Sequence, residues 1–385
     1  MNPEIEKVAQ RLIVHAKQKT TDSVVGVFRN PVSTYVDEKI FLLEKSVLFR
    51  KWPLLAGLSA DLPDNGSYKT FDEIGIPILL CRDQQGGVRA FFNSCRHRGG
   101  RLAEGCGRKK NFSCPYHSWV YGNDGVLKKV FLEDAFGEVA KKDYNLIEFP
   151  CEESYGLVFL IPELKGELNV KNYLGGLGPQ LSEFTAKKLN IVKTGMMKAE
   201  ANWKLAQDGY GEGYHFAAVH GKSFPDACVN IMSYDRYGEA GKKRHHRLGF
   251  PYKNITELEA TLSLTESDIL AKLNLVYFVY PNTNFFIFGE HVFVMQMFPG
   301  KRVGSCQTCI TMYTSSDIDS AEKKKQCEEV FDFLFYVIQD EDYNTCNKVQ
   351  KNIEAGVMDH VLFGENEAPL QDVHRHYRED TKSFL

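Results

Sequence analysis

The chain has 385 residues, of which 43% are hydrophobic and 25% are charged, an ordinary globular balance that can bury a core and does not indicate disorder. Its formal net charge of -3 creates no basic field, and no stretch approaches the roughly 18 apolar residues of a membrane span, so we expect neither a nucleic-acid nor a membrane partner. At about 150 residues per domain, the length suggests two or three domains.

The N-terminal segment, residues 1–40, is expected to be helical and to pack on the domain formed by the C-terminal half. Its first nineteen residues mix Glu, Lys and Gln with scattered Val, Leu and Ile, and they lack the apolar core and cleavage site of a signal peptide. The chain has ten cysteines, and without a secretory signal these indicate a reducing compartment, where clustered thiols more often serve metal or redox chemistry. The expected location is cytoplasmic.

Residues 41–165 have the pattern of a small antiparallel β domain. Short β-rich runs at residues 76–81 and 88–92 flank a turn signal at residues 83–87. Residues 164–179 contain four glycines and are interpreted as a connection without elements of its own. The domain boundary is therefore placed there, and residues 166–385 form the second domain.

The second domain combines strands with one long helix. Apolar and polar residues alternate over residues 275–299 and 305–315, which predicts successive strands of a meander. Apolar residues then recur at helical spacing from an N-cap at Ser320 to a stop at Gly356, which predicts a long helix packed on that sheet. The basic run at residues 242–247 is interpreted as a solvated loop. The predicted fold class is α+β.

The first constellation is a Cys-x-His pair, Cys95 and His97, followed after sixteen residues by a Cys-x-x-His pair, Cys114 and His117. Two thiolates and two neutral imidazoles can hold one [2Fe–2S] cluster, with the imidazoles on one iron raising its potential. A structural zinc site uses the same residue types. The close spacing within each pair, with turn-forming residues such as Gly100 beside it, favours the iron–sulfur interpretation.

The second constellation contains Asp208, Glu212, His215 and His220. On a helix these side chains would share a face and converge on one metal. Two imidazoles and a carboxylate with open positions opposite are typical of ferrous iron that activates oxygen. Histidines at this spacing are more often structural, but a chain with a redox cluster needs a second centre that receives its electrons.

At these residues the chain resembles the Rieske non-haem iron oxygenases, specifically the α subunits of the ring-hydroxylating family, over nearly its whole length. The Asn202-Trp203-Lys204 lead-in and the acidic-x-x-His-x-x-x-x-His segment from Glu212 to His220 carry the resemblance. It implies a Rieske β-sandwich domain joined to a helix-grip catalytic domain. It also implies cofactor ligands, which are Cys95 and Cys114 on one cluster iron, His97 and His117 on the other, and His215 and His220 on a mononuclear Fe(II).

The resemblance also nominates the third iron ligand and the catalytic carboxylates. Asp342 matches the family's Glu-Asp segment, with Asp340 and Glu341 as weaker candidates. Glu212 would bridge an iron histidine to a cluster histidine of a neighbouring subunit, and Asp208 is a further catalytic candidate. Glutamate at position 212 is similar to members that oxidise quaternary ammonium compounds, where the best-known ring dioxygenases have aspartate.

The implied activity is the mono- or dioxygenation of a small organic substrate with O₂. Electrons would come from a separate reductase or ferredoxin, so that NAD(P)H acts only indirectly. An aromatic substrate, as in aromatic hydrocarbon catabolism, is the first expectation, because residues 95–99 look like ring dioxygenases and the strands are rich in phenylalanine. A carnitine- or betaine-like quaternary ammonium compound is the alternative.

The resemblance further implies a homotrimer, possibly with a small β subunit. From a different class, the sequence leaves open a non-enzymatic Rieske electron carrier or a zinc-stapled binding module.

Overall fold

The computed structural model describes residues 3–260 and 265–382. The chain divides into two compact units, which are Phe49–Lys171 with Thr185–Lys188, and Met1–Leu48 with Asn172–Phe184 and Leu189–Leu385. The first is called the cluster unit below and the second the sheet unit. Within the described ranges, no helix is long and apolar enough to cross a lipid bilayer.

The strands and helices are numbered in chain order. The strands are β1 Phe28–Pro31, β2 Leu54–Leu58, β3 Ser67–Phe71, β4 Ile78–Arg82, β5 Val88–Phe92, β6 Cys106–Arg108, β7 Asn111–Ser113, β8 Val120–Gly122, β9 Leu127–Lys129, β10 Glu148–Phe149, β11 Cys151–Ser154, β12 Leu157–Leu160, β13 Asn190–Ala199, β14 Ser233–Glu239, β15 Lys242–Pro251, β16 Leu273–Val279, β17 Thr283–Phe288, β18 His291–Pro299, β19 Cys306–Thr314 and β20 His360–Phe363. The helices are α1 Pro3–Gln18, α2 Ser33–Val36, α3 Glu38–Val47, α4 Glu133–Phe136, α5 Val170–Leu174, α6 Leu177–Thr185, α7 Trp203–Asp208, α8 Phe216–Val219, α9 Glu266–Leu270, α10 Ala321–Tyr336, α11 Tyr343–Glu354 and α12 Ala368–Lys382.

The cluster unit is built from small antiparallel sheets. Their strand orders are β10-β5-β4-β3-β6, β11-β12-β2 and β7-β8-β9. One core fills the unit around the buried rings of Phe91, Phe112, Trp119 and Tyr121. These rings remove a large apolar area from water, which compensates for the shortness of strands that have only three to five residues in most cases.

The sheet unit is organised by a seven-stranded antiparallel sheet with the order β13-β19-β18-β17-β16-β15-β14. Strands β14 to β19 are sequential neighbours, so the expected meander is present, and β13 adds to its far edge beside β19. The α+β fold class is confirmed. In the register of β15 and β16, Phe250 lies opposite Asn274.

The helix expected from Ser320 to Gly356 is interrupted. Ser320 caps α10 by accepting a hydrogen bond from the Lys323 amide, and Gly356 follows α11 with φ +75°, as expected. Between α10 and α11, however, Val337–Asp342 forms a π-helical segment.

Two further expectations from the sequence are wrong. The supposed connection at residues 164–179 contains α5 and the start of α6. The supposed solvated loop at residues 242–247 is the beginning of β15, where Arg244 is buried against Asp380 at 2.5 Å and Arg247 against Asp235 at 2.8 Å. Long side chains with carboxylate partners make burial of these charges possible, and partners that are distant in sequence cannot be read from a charge run.

Candidate functional site: a metal group beside an apolar cavity

Three residues of the predicted metal set lie together in the sheet unit. One ligand atom each of His215, His220 and Asp342 falls within 4.8 Å of the others. The Asp342 Oδ1 atom lies 3.0 Å from His220 Nε2 and 3.7 Å from His215 Nε2. Two imidazole nitrogens and one carboxylate oxygen can therefore face a common point, which is the donor set of ferrous iron sites with open positions.

The two histidines do not share one helix face, which corrects the expectation from the sequence. Helix α7 begins at the N-cap Asn202 and already ends at Asp208, and the short helix α8 lies between the two histidines. Glycine-rich chain separates the two helices. A Cβ atom at Gly211 would come within 2.4 Å of Leu370, so a side chain there would disturb the packing of this segment.

Glu212 holds the ring of His215. The His215 Nδ1–H group donates to Glu212 Oε1, while Glu212 Oε2 accepts from the amides of Tyr214 and His215, the latter at 3.1 Å. With Nδ1 occupied as a donor, the neutral imidazole presents its Nε2 lone pair to the group formed with Asp342.

Glu341 holds the ring of His220 in the same way, a role that the sequence did not suggest. Its Oε2 atom accepts from His220 Nδ1–H at 2.7 Å and its Oε1 atom accepts from the Ser223 hydroxyl at 2.5 Å. Burial raises the pKa of the Glu341 carboxyl, but the hydrogen bonds from Ser223 and His220 lower it by more, so the group is ionised at neutral pH. In the sequence, the feature that could have suggested this role is the position of an acidic residue directly before Asp342.

The π-helical segment supplies both contacts to the His220 ring. Its last two residues, Glu341 and Asp342, approach Nδ1 and Nε2 of the same imidazole from successive positions. π-Helical turns occur frequently at functional sites, and here one explains how neighbouring residues reach two sides of one ring.

Asp208 does not belong to the metal group. Its carboxylate accepts hydrogen bonds from Tyr35 Oη and from His374 Nε2, both at 2.7 Å, and Asn30 Nδ2 donates to His374 Nδ1 at 3.2 Å. The network is buried and links α2, α7 and α12. A catalytic role for Asp208 stays a prediction, and its contacts indicate that it anchors the end of α7.

A small cavity opens beside the metal group, with a volume of about 100 Å³. Its aromatic lining is Phe216, Phe224, Phe250 and Phe286, with Tyr210. Its aliphatic lining is Val276, Met295, Leu334, Val337 and Ile338. Apart from the metal group and Glu212, the polar lining is Tyr210 and Asn274, and no lysine or arginine is among the described residues around the cavity.

The two cysteines of the predicted cluster set lie in the core of the cluster unit, whereas its two histidines are partly exposed. Cys95 and Cys114 are buried, and the rings of His97 and His117 are adjacent, with centroids 4.7 Å apart. Burial raises the pKa of the Cys95 thiol, and the neighbouring Cys114 thiol adds to this shift, whereas Tyr121 opposes it. The structure thus groups the two thiols and, separately, the two imidazoles.

The local backbone explains this arrangement. The Cys95 amide donates to the Gly100 carbonyl at 2.7 Å, and the Cys114 amide donates to the Trp119 carbonyl at 2.8 Å, so each pair lies on a closed loop. The His97 ring stacks on Trp119 with an interplanar angle of 9°. A Cβ at Gly100 would lie 2.9 Å from Cys114 Sγ, so this position needs glycine if the thiol is to keep its place.

Two family models match the chain. One is described as the ring hydroxylating alpha subunit (catalytic domain) and matches residues 186–383. The other is described as the Rieske [2Fe-2S] domain and matches residues 52–140. The matched ranges include the metal group and the cluster residues respectively.

Curated relatives and solved structures agree with these matches. The carnitine monooxygenase oxygenase subunit of Acinetobacter baumannii is 24% identical over 84% of this chain and 85% of its own length. The glycine betaine monooxygenase oxygenase subunit of Pseudomonas aeruginosa is 28% identical over 54% of this chain and 47% of its own, so the chain aligns with about half of that relative.

Solved structures share the fold. The quaternary ammonium Rieske monooxygenase CntA in complex with L-carnitine is 20% identical, with a TM-score of 0.76 over 93% of this chain and 96% of that one. Naphthalene 1,2-dioxygenase from Rhodococcus sp. is 17% identical, with a TM-score of 0.73 over 99% and 98%. At such identities the likeness concerns the fold alone.

Proposed function

Since the chain belongs to the ring-hydroxylating α-subunit family of Rieske non-haem iron oxygenases, we propose that it is a monooxygenase acting on a small quaternary ammonium compound. The enzyme class follows from the family, as do the [2Fe–2S] cluster, the mononuclear iron and the need for electrons from a partner reductase or ferredoxin. Membership of this family excludes the alternatives of an electron carrier and a zinc-stapled module.

The donor atoms fit both cofactors. We propose that Cys95, His97, Cys114 and His117 hold the cluster and that His215, His220 and Asp342 hold the iron. Both iron-site histidines turn their Nε2 atoms toward Asp342, because their Nδ1 atoms are held by Glu212 and Glu341. When bound, these groups supply electron storage and oxygen activation.

The chain's own residues prepare the reaction in three ways. Glu212 and Glu341 fix the two imidazoles, and Asp342 supplies the negative ligand. The apolar cavity wall excludes water from the reacting bond. In the overall balance, one atom of O₂ enters a C–H bond of the substrate, and the other leaves as water with two electrons from the reductase and two protons.

The observation that carries the substrate class is the charge balance of the site. Glu212, Glu341 and Asp342 provide three carboxylates, which outnumber the two positive charges of ferrous iron, and no cationic side chain is among the described residues that line the cavity. A cationic substrate is attracted by this excess, and aromatic rings such as Phe216 and Phe250 offer favourable cation–π contacts. The names of the curated relatives point to the same class.

An aromatic substrate, the first expectation from the sequence, becomes the second candidate. The four phenylalanines of the cavity favour it, since they would accept a neutral ring as readily as a trimethylammonium group.

A substrate panel separates the two candidates. Purified enzyme with a surrogate reductase is given trimethylammonium compounds and neutral or acidic aromatic compounds, and oxygen uptake is matched to product mass, with the His215→Ala variant as blank. We expect coupled uptake and a product heavier by one oxygen with an ammonium substrate. A dihydroxylated aromatic product, with no turnover of any ammonium compound, would reverse the assignment.

We further propose that the working unit is a homotrimer, with or without a small β subunit, in which electrons pass between neighbouring chains. Glu212 would receive a hydrogen bond from His117 of the next chain, joining the two centres. Supporting this, exposed apolar side chains surround the cluster imidazoles, with Tyr116 61%, Leu132 64% and Phe136 48% exposed.

Mixed oligomers test this assembly. A Cys114→Ser chain lacks the cluster and a His215→Ala chain lacks the iron, so neither works alone. When the two chains are co-expressed and assemble into one ring, some interfaces pair an intact cluster of one chain with an intact iron site of the next. Partial recovery of activity supports transfer between chains, and confirmed mixed rings without activity would refute it.

A further inference from the structure

Besides Tyr210, whose hydroxyl lies 3.3 Å from that of Tyr343, the described residues lining the cavity include a second neutral hydrogen-bond donor. Asn274 lies on β16, is only 9% exposed, and lines the cavity opposite Phe250 of the neighbouring strand. Its Oδ1 atom accepts a hydrogen bond from Tyr252 Oη at 3.0 Å. This contact fixes the amide orientation, so the Nδ2 group is the part of the side chain left to donate to a ligand.

The rest of the wall determines which ligand groups are tolerated. Among the described residues that line the cavity, the charged side chains other than the histidines are the carboxylates Glu212 and Asp342. A carboxylate enclosed by the surrounding phenylalanines and aliphatic side chains would lose its hydration without gaining a cationic partner. It would also be repelled by the two acidic residues. A hydroxyl or carbonyl oxygen needs a single donor, which Asn274 supplies.

We propose that Asn274 determines specificity by receiving a neutral oxygen of the substrate, so that the enzyme accepts ammonium alcohols or ketones and rejects ammonium carboxylates. This inference rests on the proposed function, since it names the second functional group of the same substrate. The expected substrate combines a trimethylammonium group with a hydroxyl or carbonyl oxygen.

Four small ligands test separately the ammonium substrate class and the preference for a neutral oxygen at Asn274. Choline and glycine betaine share the trimethylammonium group and differ in alcohol against carboxylate. 3,3-Dimethyl-1-butanol and 3,3-dimethylbutyrate repeat that difference on a neutral tert-butyl group. Dissociation constants are measured by titration calorimetry with the metal-loaded enzyme under argon, which prevents turnover.

We expect each alcohol to bind at least about 100-fold more tightly than its matched carboxylate, because the carboxylate would be buried without a partner. Equal binding of choline and glycine betaine would overturn the inference while leaving the proposed function intact. Equal binding of choline and 3,3-dimethyl-1-butanol would count against the ammonium class, yet a preserved preference for alcohols would still support Asn274. If none of the four binds, both proposals fail.

Variants at positions 274 and 276 test whether Asn274 is the origin of the preference for alcohols over carboxylates. Asn274→Leu should weaken alcohol binding by about 5- to 10-fold, the value of one hydrogen bond, and should leave carboxylate binding unchanged. Asn274→Lys should bring glycine betaine at least to parity with choline. Val276→Leu, in the same cavity wall, changes volume without polarity and should alter all four affinities by a similar factor. Alcohol binding that is unchanged in Asn274→Leu would refute the role of this residue.

Discussion

Replacing Glu341 by alanine should weaken iron binding at the catalytic site by about 10- to 100-fold. The Glu341 carboxylate is only 19% exposed and accepts a charge-assisted hydrogen bond from His220 at 2.7 Å. Such bonds contribute about 1.5–3 kcal/mol, and the alanine variant leaves the His220 ring free to turn its Nε2 atom away from Asp342. Loss of an orienting partner of this kind typically costs one to two orders of magnitude in metal affinity.

The assay is a competitive titration of Fe(II) against a chelator, with the visible absorption of the cluster as an internal standard. Asp340→Asn is the matched control, because Asp340 lies in the same π-helical segment and is exposed, and its iron affinity should equal that of the wild type. Glu341→Gln keeps an acceptor without the charge and should fall between alanine and wild type.

Two outcomes would refute the reasoning. Wild-type iron affinity in Glu341→Ala would mean that His220 needs no orienting partner. Complete loss of iron, with retained fold and cluster colour, would instead mean that Glu341 is itself a ligand.

Further predictions concern the two centres and the response to acid. Asp342→Ala should lose the mononuclear iron in metal analysis while keeping the cluster colour, and an unchanged iron count would exclude it as a ligand. Cys114→Ser should bleach the cluster, whereas Cys106→Ser, at an exposed thiol, should not; equal spectra would move the cluster elsewhere. Burial lowers the pKa of His245 to about 4 and that of His246 to about 3, so the unfolded chain binds protons that the folded chain refuses between those values and pH 6.5. In chemical denaturation, the free energy of unfolding should therefore carry no penalty from these two histidines above pH 6.5. Below that pH, it should fall by about 1.4 kcal/mol per histidine for each pH unit. His246→Phe should reduce this slope by one proton, and an unchanged slope would contradict the assignment.

The sequence predicted the family and the fold class because short, chemically specific motifs carry that information. It did not predict the shape of the chain around them. The break between α7 and α8 depends on Gly211 packing against Leu370, and the two residues are far apart in sequence. The role of Glu341 depends on a π-helical segment, which apolar periodicity does not distinguish from an α-helix.

The interpretation of the basic run at the start of β15 as a solvated loop was wrong for a related reason. A charge is expected at the surface unless its partner is known, and the partners of Arg244 and Arg247 are Asp380 and Asp235, on α12 and β14. Composition describes what a residue prefers on average. The pairing that permits an exception is a property of the folded chain.

The proposed iron site is assembled from distant parts of the chain, and this determines when it can be filled during biosynthesis. His220 and its orienting partner Glu341 are 121 residues apart, with the strands β14 to β19 and helix α10 between them. A growing chain that has released both histidines from the ribosome still lacks the third ligand and the group that aligns His220. On the proposed ligand set, iron can therefore be captured with full affinity only after the chain has been synthesised through Asp342, beyond the last strand of the sheet.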